Sequence, residues 1–181
     1  MNICPSYTDS TDVVIADLAV FKYPELCQLG SHIAIDHGVY SATQMNIKDY
    51  VHIGPYVCVI GGKQSCLTIE EFVAIGAGTK LICGSDDPQG TGLFGPASIP
   101  NEYANQKISK PITIKRFASI AVNAVIMPGV TMAEGSALGP NSFLTKDTKP
   151  WTFYLGNPAR AIGKRDPGNR IEYAKRLGYD Q

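Results

Sequence analysis

The sequence predicts an all-β fold, a solenoid of stacked coils built from six-residue repeats. Its second half carries an aliphatic residue at every sixth position, at Ile114, Ile120, Ile126, Met132, Leu138 and Leu144. Small or β-branched residues lie four positions after these anchors, and Gly, Asn and Asp recur where tight bends are needed. A period of six fits neither an α-helix nor an isolated strand. One strand and one bend per repeat do fit a solenoid.

The same repeat occurs earlier in the chain in two other phases. One phase contains Leu29, Ile35, Ile47, Ile53 and Val59, and the other contains Ile69, Ile75 and Leu81. Two insertions explain the phase changes, a short one at 61–66 and a long one at 83–111. The long insertion is rich in Gly, Pro, Ser and Asn and has no period, so we expect an ordered protruding loop, here called the arm.

The 181 residues fit a single domain in three parts. Coils are expected over 29–148, with the arm inserted at 83–111, and a C-terminal extension over 149–181. Helical spacing at 169–178 places Ile171, Ala174 and Leu177 on one face before Gly178, which predicts a short capping helix. Trp151 is expected in the core beneath it.

Three repeats per coil place the anchors on three walls of the solenoid. The first wall receives Ile35, Ile53, Ile75, Ile120 and Leu138. The second receives Val59, Leu81, Ile126 and Leu144, and the third receives Ile47, Ile69, Ile114 and Met132. Both insertions then leave from the same corner, one coil apart.

Composition and charge narrow the functional classes. Lys plus Arg and Asp plus Glu number 16 each, so no global field attracts nucleic acid or an anionic membrane. The start of the chain resembles no signal peptide and no apolar run is long enough to cross a bilayer, so we expect a cytoplasmic protein. The five cysteines show no metal-binding spacing, which favours reduced thiols and no metal.

Four segments resemble one known group of proteins. They are YVHIGPYV at 50–57, GSDD at 84–87, MPGV at 127–130 and LGNPAR at 155–160. Together with the repeat, over about 29–165, they resemble the hexapeptide-repeat acyltransferases, in particular the sugar acetyltransferases of bacterial surface-polysaccharide (O-antigen or capsule) biosynthesis. The resemblance implies a left-handed parallel β-helix, acetyl-CoA as cosubstrate, and a homotrimer with active sites shared between subunits.

Acyl transfer needs a proton acceptor and a donor for the charge that develops on the carbonyl oxygen. His52 lies in a matching motif just before an anchor of the first wall, and we interpret it as the general base. Ala74 takes the same position one coil later, so its backbone N–H is a candidate oxyanion donor. Asp86 and Asp87 are candidates for orienting the histidine or binding a sugar amine, although adjacent acids in a loop are also typical of a turn.

Further positions are candidates for binding the two substrates. Ser85 and Tyr103 of the arm are candidates for sugar binding, with packing of the aromatic ring as the alternative for Tyr103. The small residues Ser119 and Ala137 continue the ladder from His52 and leave room for the pantetheine arm. The resemblance also points to a CoA-binding C-terminal part, with Lys146, Asn157, Pro158, Arg160, Lys164 and Arg165 as candidates.

Three functions are compatible with these residues. The first is N-acetylation of a nucleotide-linked amino sugar, and the second is O-acetylation of a sugar hydroxyl, which demands a stronger base. The third is a non-catalytic or metal-binding scaffold, for which the spacing of His32, His37 and His52 offers no evident cluster. The acceptor sugar and the identity of the acyl group stay open.

Overall fold

The structure, a computed structural model, describes residues 10–180 as a β-solenoid of about seven turns. Its strands are β1 (Val13–Ile15), β2 (Val20–Phe21), β3 (Cys27–Leu29), β4 (Ile33–Ile35), β5 (Tyr40–Ile47), β6 (Val51–Ile53), β7 (Cys58–Ile69), β8 (Ala74–Ile75), β9 (Lys80–Ile82), β10 (Gly84–Asp86), β11 (Lys107–Ser109), β12 (Ile112–Ile114), β13 (Ser119–Ile120), β14 (Val125–Ile126), β15 (Thr131–Met132), β16 (Ala137–Leu138), β17 (Phe143–Leu144), β18 (Thr152–Leu155) and β19 (Arg160–Lys164). A 3₁₀ turn spans Pro24–Leu26, and the α-helix α1 spans Arg170–Arg176. The predicted all-β solenoid is confirmed.

Parallel pairing between successive coils builds the three walls. The first wall is the sheet β1-β4-β6-β8-β13-β16-β18, and β5 and β7 are long enough to bend across the other two walls. In the first wall, Ile35 pairs with Ile53, Ile53 with Ile75, Ile75 with Ile120, and Ile120 with Leu138. The predicted anchors of the second and third walls pair in the same way, and all are buried in one continuous core. The wall assignment made from the sequence is confirmed.

The first coil begins at β1, well before residue 29, where the sequence repeat predicts the coils to begin. Ile15 aligns with Ile35, and Phe21 aligns with Ser41. The 3₁₀ turn at Pro24–Leu26 lengthens this coil by two residues and breaks the six-residue phase. The short insertion is a bulge inside β7, where Thr43 pairs with Gly62 and Gln44 pairs with Cys66.

Aromatic side chains stack along the corner that precedes the first wall. They form the aromatic ladder of His32, Tyr50, Phe72, Phe117 and Trp151, all with φ between 48° and 61°. Neighbouring ring centroids lie 4.4, 5.1, 5.4 and 5.9 Å apart along the ladder. Stacking compensates for the left-handed backbone, which bulky residues otherwise avoid. Trp151, expected in the core, is therefore half-buried at this corner.

The arm leaves the solenoid through the antiparallel pair of β10 and β11. Buried Asn105 anchors it, because its Nδ2 donates to the Asp87 carbonyl at 2.7 Å and its Oδ1 accepts from the Gly92 N–H at 3.3 Å. Leu93, Phe94 and Tyr103 are exposed on the arm. The prediction of an ordered arm agrees with these contacts.

The C-terminal segment folds back along the side of the solenoid. Strand β19 pairs with β18 in the antiparallel sense, and α1 then packs beside the aromatic ladder instead of over the end of the last coil. Ala174 is the buried residue of α1, whereas Ile171 and Leu177 are 36% and 55% exposed, so the expected three-residue apolar face is largely solvated. Tyr179 packs edge-on against the rings of Tyr50 and Phe72. Across residues 10–180, the structure contains no helix suited to crossing a membrane.

Candidate active site

Small side chains line a groove on the outer face of the first wall. The register places His52, Ala74, Ser119 and Ala137 in one row across four coils. Beside this row lies a cavity of about 400 Å³, here called the outer groove, which ends at Phe153. The sequence-predicted row is therefore present, with its single imidazole at one end.

His52 has a carboxylate partner that the sequence interpretation missed. Its Nε2 lies 2.9 Å from Oδ2 of Asp36, and both side chains are about half exposed. A neutral imidazole that donates to this carboxylate carries its proton on Nε2 and keeps its lone pair on Nδ1. A signal was available: Asp36 follows Ile35 as His52 precedes Ile53, so both side chains point outward from adjacent strands.

Ala74, the predicted oxyanion donor, lies between His52 and Ser119 in the row that lines the groove. The equivalent amides of His52 and Ser119 each donate to a carbonyl of the following coil, both at 3.0 Å. Ala74 occupies the same register between them. Its backbone N–H stays a candidate oxyanion donor.

The acidic residues of the arm lie away from His52 within one chain. Ser85 and Asp86 line a cavity of about 570 Å³ between the β7 bulge and the base of the arm, with Lys63 and Lys107. Asp87 Oδ1 accepts from the Gln89 N–H at 2.9 Å, which is the turn-forming role considered for it. Asp36, and neither arm aspartate, orients His52 within the chain.

The predicted C-terminal cofactor residues fall into separate places. Lys146 and Arg160 line one cavity of about 330 Å³, and the neighbouring Asn157–Pro158 peptide bond is cis. Lys164 is exposed at the end of β19. Arg165 is half-buried, and its Nη1 donates to the carbonyls of Phe117 and Gly135. Burial lowers the pKa of Arg165, with a further contribution from Arg170. The structure gives this guanidinium a role in holding the C-terminal segment.

A second cavity adjoins His52 on the opposite side of the row. This upstream cavity, of about 420 Å³, is lined by Asp12, His32, Tyr50, Phe72 and the His52–Ala74 pair of positions. His32 Nδ1 lies 3.2 Å from Asp12 Oδ2, and the His32 ring stacks on Tyr50. An aromatic, partly polar cavity therefore meets the outer groove at the histidine.

The other histidines and the thiols show no metal site. His37 is exposed outside both cavities, and within residues 10–180 no three His, Cys, Asp or Glu side chains converge as metal ligands. Cys27, Cys58, Cys66 and Cys83 are free, and burial raises the pKa of Cys27 to about 11 and that of Cys83 to about 12. Cys4 lies outside the described residues.

Comparison with known proteins identifies the family. No family model matches the chain. The chain is 30% identical over 158 residues to the dTDP-4-amino-4,6-dideoxy-D-glucose acyltransferase of Escherichia coli, covering 85% of this chain and 80% of that protein. The chain belongs to the hexapeptide-repeat acyltransferases.

Solved structures agree with this family. AntD, an N-acyltransferase from Bacillus cereus, superposes with a TM-score of 0.86 at 26% identity, covering 95% of this chain and 90% of AntD. That AntD structure, of a variant, is a complex with dTDP-4-amino-4,6-dideoxyglucose and coenzyme A. A probable macrolide acetyltransferase of Lysinibacillus sphaericus is 29% identical over 139 residues, covering 72% of this chain and 76% of that protein. The hexapeptide-repeat acyltransferase fold and acyl-transfer chemistry predicted from the sequence are confirmed.

Proposed function

We propose that this acyltransferase moves an acyl group from acyl-CoA to the amino group of a nucleotide-linked amino sugar. The observation that carries the proposal is His52, held by Asp36 at the end of the outer groove. Support also comes from the Escherichia coli relative named for dTDP-4-amino-4,6-dideoxy-D-glucose and from AntD, which binds that sugar nucleotide with coenzyme A.

The His52–Asp36 pair suits proton removal from an attacking amine. The amine nitrogen forms a bond to the thioester carbonyl carbon, and the carbonyl electron pair moves onto oxygen. Nδ1 of His52 takes the proton that the nitrogen must lose, and Asp36 stabilises the resulting imidazolium through Nε2–H. Collapse of the tetrahedral intermediate breaks the C–S bond, and the imidazolium returns the proton to the leaving sulfur.

The outer groove suits the pantetheine arm of the acyl donor. Ser119 and Ala137 leave a narrow channel beside the sheet, because neither side chain extends far from the wall. Lys146 and Arg160, which share one cavity, are the cations we assign to the CoA phosphates. Asn157, Pro158 and Lys164 stay in the proposed cofactor-binding region because they adjoin this cavity in the chain.

The same proposal includes a homotrimer whose arms complete neighbouring sites. Ser85, Asp86 and Tyr103 lie on the arm, far from His52 in their own chain, and the arm exposes Leu93 and Phe94. A neighbouring subunit that receives the arm buries these apolar side chains and gains an acidic group for its sugar amine. We further propose a cytoplasmic enzyme of surface-polysaccharide biosynthesis, in line with its free thiols.

Thiol release from acyl-CoA tests the function. Nucleotide-linked amino sugars and the corresponding hydroxyl sugars serve as acceptors for wild type, His52→Ala and the control His37→Ala. We expect turnover on one amino sugar, a fall in kcat/KM of about 10²–10⁴ in His52→Ala, and no change in His37→Ala.

Other results would change or overturn the proposed function. Turnover on hydroxyl sugars alone replaces N-acylation with O-acylation. Full activity in His52→Ala assigns proton removal to another group, such as Asp86 or the acceptor itself. Absence of turnover and of CoA binding in the folded protein overturns the proposal.

A further inference from the structure

A third cavity lies between α1 and the aromatic ladder. This helix cavity has a volume of about 340 Å³, and Phe72, Phe117, Ala174 and Leu177 form its apolar lining. Tyr179 fixes the chain just after α1, since its hydroxyl donates to Asp49 while its ring contacts Tyr50 and Phe72. The C-terminal segment therefore forms a stable wall of this cavity.

The helix cavity borders both the outer groove and the upstream cavity. Ala74 lines the helix cavity, the outer groove and the upstream cavity, and it pairs directly with His52 across the sheet. Ser119 is shared by the helix cavity and the outer groove. The three spaces thus meet at Ala74, the neighbour of His52 across the sheet.

During acyl transfer, the carbonyl carbon is bonded to two groups besides its oxygen, and a third group attacks it. These groups are the thioester sulfur with its pantetheine arm, the attacking amine of the sugar, and the carbon chain of the acyl group itself. Three spaces converging on Ala74 match these three groups. The outer groove fits the pantetheine arm, and the partly polar upstream cavity fits the sugar.

We propose that the helix cavity binds the acyl chain and that the preferred donor carries an uncharged chain longer than acetyl. This inference rests on the proposed function and specifies its donor. A methyl group is about the size of one water, whose share of liquid volume is ~30 Å³, so an acetyl group leaves most of a 340 Å³ cavity unfilled.

The apolar lining favours an uncharged chain, because the two arginines beside it are engaged with backbone carbonyls. Arg165 Nη1 donates to the carbonyls of Phe117 and Gly135. Arg170 Nη1 donates to the carbonyls of Asp166 and Pro167, both at 2.9 Å. Both guanidinium groups are turned toward backbone oxygens, which leaves the apolar lining to select the occupant.

Donor preference tests the inference. The kcat/KM values for acetyl-, propionyl-, butyryl- and succinyl-CoA are measured with the amino sugar that supports turnover. Burial of one methylene contributes a factor of about four, so we expect butyryl-CoA to exceed acetyl-CoA by about 15-fold and succinyl-CoA to be poor.

Two tryptophan variants test whether the helix cavity causes the preference for a longer acyl chain. Leu177→Trp fills the cavity from a position 55% exposed, which requires no core repacking, and Lys175→Trp places the same ring on α1 outside the cavity. We expect the butyryl-to-acetyl ratio to fall to about two or less in Leu177→Trp and to stay at the wild-type value in Lys175→Trp. Calorimetric binding of butyryl-CoA and CoA gives a second readout, with a more negative heat-capacity change for butyryl-CoA in wild type.

The outcomes separate this inference from the proposed function. Turnover with acetyl-CoA but without any chain preference refutes the acyl-chain site alone. A Leu177→Trp variant that raises KM for the sugar, with an unchanged donor ratio, assigns the cavity to the acceptor. Failure of every acyl-CoA with every amino sugar refutes the proposed function itself.

Discussion

His52 and Asp36 form a pair because consecutive coils place their side chains on the same outer surface. The two residues flank equivalent anchors, Ile53 and Ile35, which pair across the sheet. Their contact at 2.9 Å fixes the ring orientation and the protonated nitrogen together. In the row from His52 to Ala137, His52 is the one basic side chain, and its Nδ1 is the nitrogen available for proton transfer. The other positions of the row carry small side chains.

Asp36→Asn tests whether the carboxylate acts through His52. The amide can accept from Nε2–H but does not stabilise imidazolium, so we expect kcat/KM to fall by about 10-fold to 100-fold with little change in KM. The double variant with His52→Ala should be no slower than His52→Ala alone. Glu172→Gln, which removes a carboxylate paired with Arg176 on α1, is the control. Additive losses in the double variant contradict a positioning role for Asp36.

Sequence reasoning predicted which side chains face outward at this site. The six-residue period determines which residues face outward, so His52, Ser119 and Ala137 were assigned correctly to one row. The period contains no information on where an amide points, so the role of the Ala74 N–H stays a prediction. Asp36 was missed because an aspartate after an anchor is also typical of a bend.

The C-terminal helix is held by contacts outside its own sequence. Only Ala174 is buried in α1, and Tyr179 beyond it binds Asp49 and two rings of the aromatic ladder. Seven helical residues are too few for independent stability, so these contacts keep the segment against the solenoid. Helical spacing predicted the element, but its position depends on partners about 130 residues away in the chain.

Tyr179→Phe tests this attachment through its pH dependence. The hydrogen bond to Asp49, with a smaller contribution from burial, raises the pKa of Tyr179 from 10.0 to about 12 in the folded protein. Because the folded pKa is the higher one, the stabilisation is complete below pH 10 and is lost as the pH rises from 10 to 12.

Thermal unfolding measures this effect. The partly exposed pair contributes about 0.5 kcal/mol, so we expect the Tm of Tyr179→Phe to lie about 1–2 °C below wild type at pH 8. The difference should disappear near pH 12, and Tyr173→Phe is the matched control on α1. A Tm difference that is the same at pH 8 and pH 12 contradicts a role for the Tyr179 hydroxyl.

The repeat predicted most elements. The two exceptions depend on a change of coil length and on a distant stacking contact, neither of which a six-residue period contains. The three walls follow from the anchors, whereas the first coil was missed because the 3₁₀ turn at Pro24–Leu26 changes its length. The corner role of Trp151 was also missed, since an indole at positive φ is stabilised by stacking on Phe117, about two coil-lengths away in the sequence.

At the scale of the whole molecule, the proposed site takes its residues from two regions of the chain. His52 lies on the first wall, whereas Ser85 and Asp86 lie at the base of the arm. The arm leaves between β9 and β12, and the pairing of β10 with β11 holds its base on that side of the solenoid. A shared site in a trimer reconciles these positions.

Mixed trimers test the shared site. His52→Ala and Asp86→Asn are each expected to be nearly inactive, and equal amounts are unfolded together and refolded. If each site takes His52 from one subunit and Asp86 from its neighbour, about one quarter of the sites regain both residues. Activity should therefore recover to about 25% of wild type. Recovery is not expected from a mixture of His52→Ala with Asp36→Asn, because that pair lies within one chain. Absence of recovery in the first mixture contradicts the shared site.

The hairpin of β18 and β19 has a consequence for self-assembly. A stack of parallel coils presents unpaired strand edges at its ends, and another copy can add there as a fibril grows. β19 runs antiparallel to β18 and is exposed, with a bulge between Phe153 and Tyr154. An incoming parallel coil finds the wrong strand direction and an irregular edge on this wall. The last turn thus acts as a polymerisation stop, and its removal is expected to produce end-to-end aggregates.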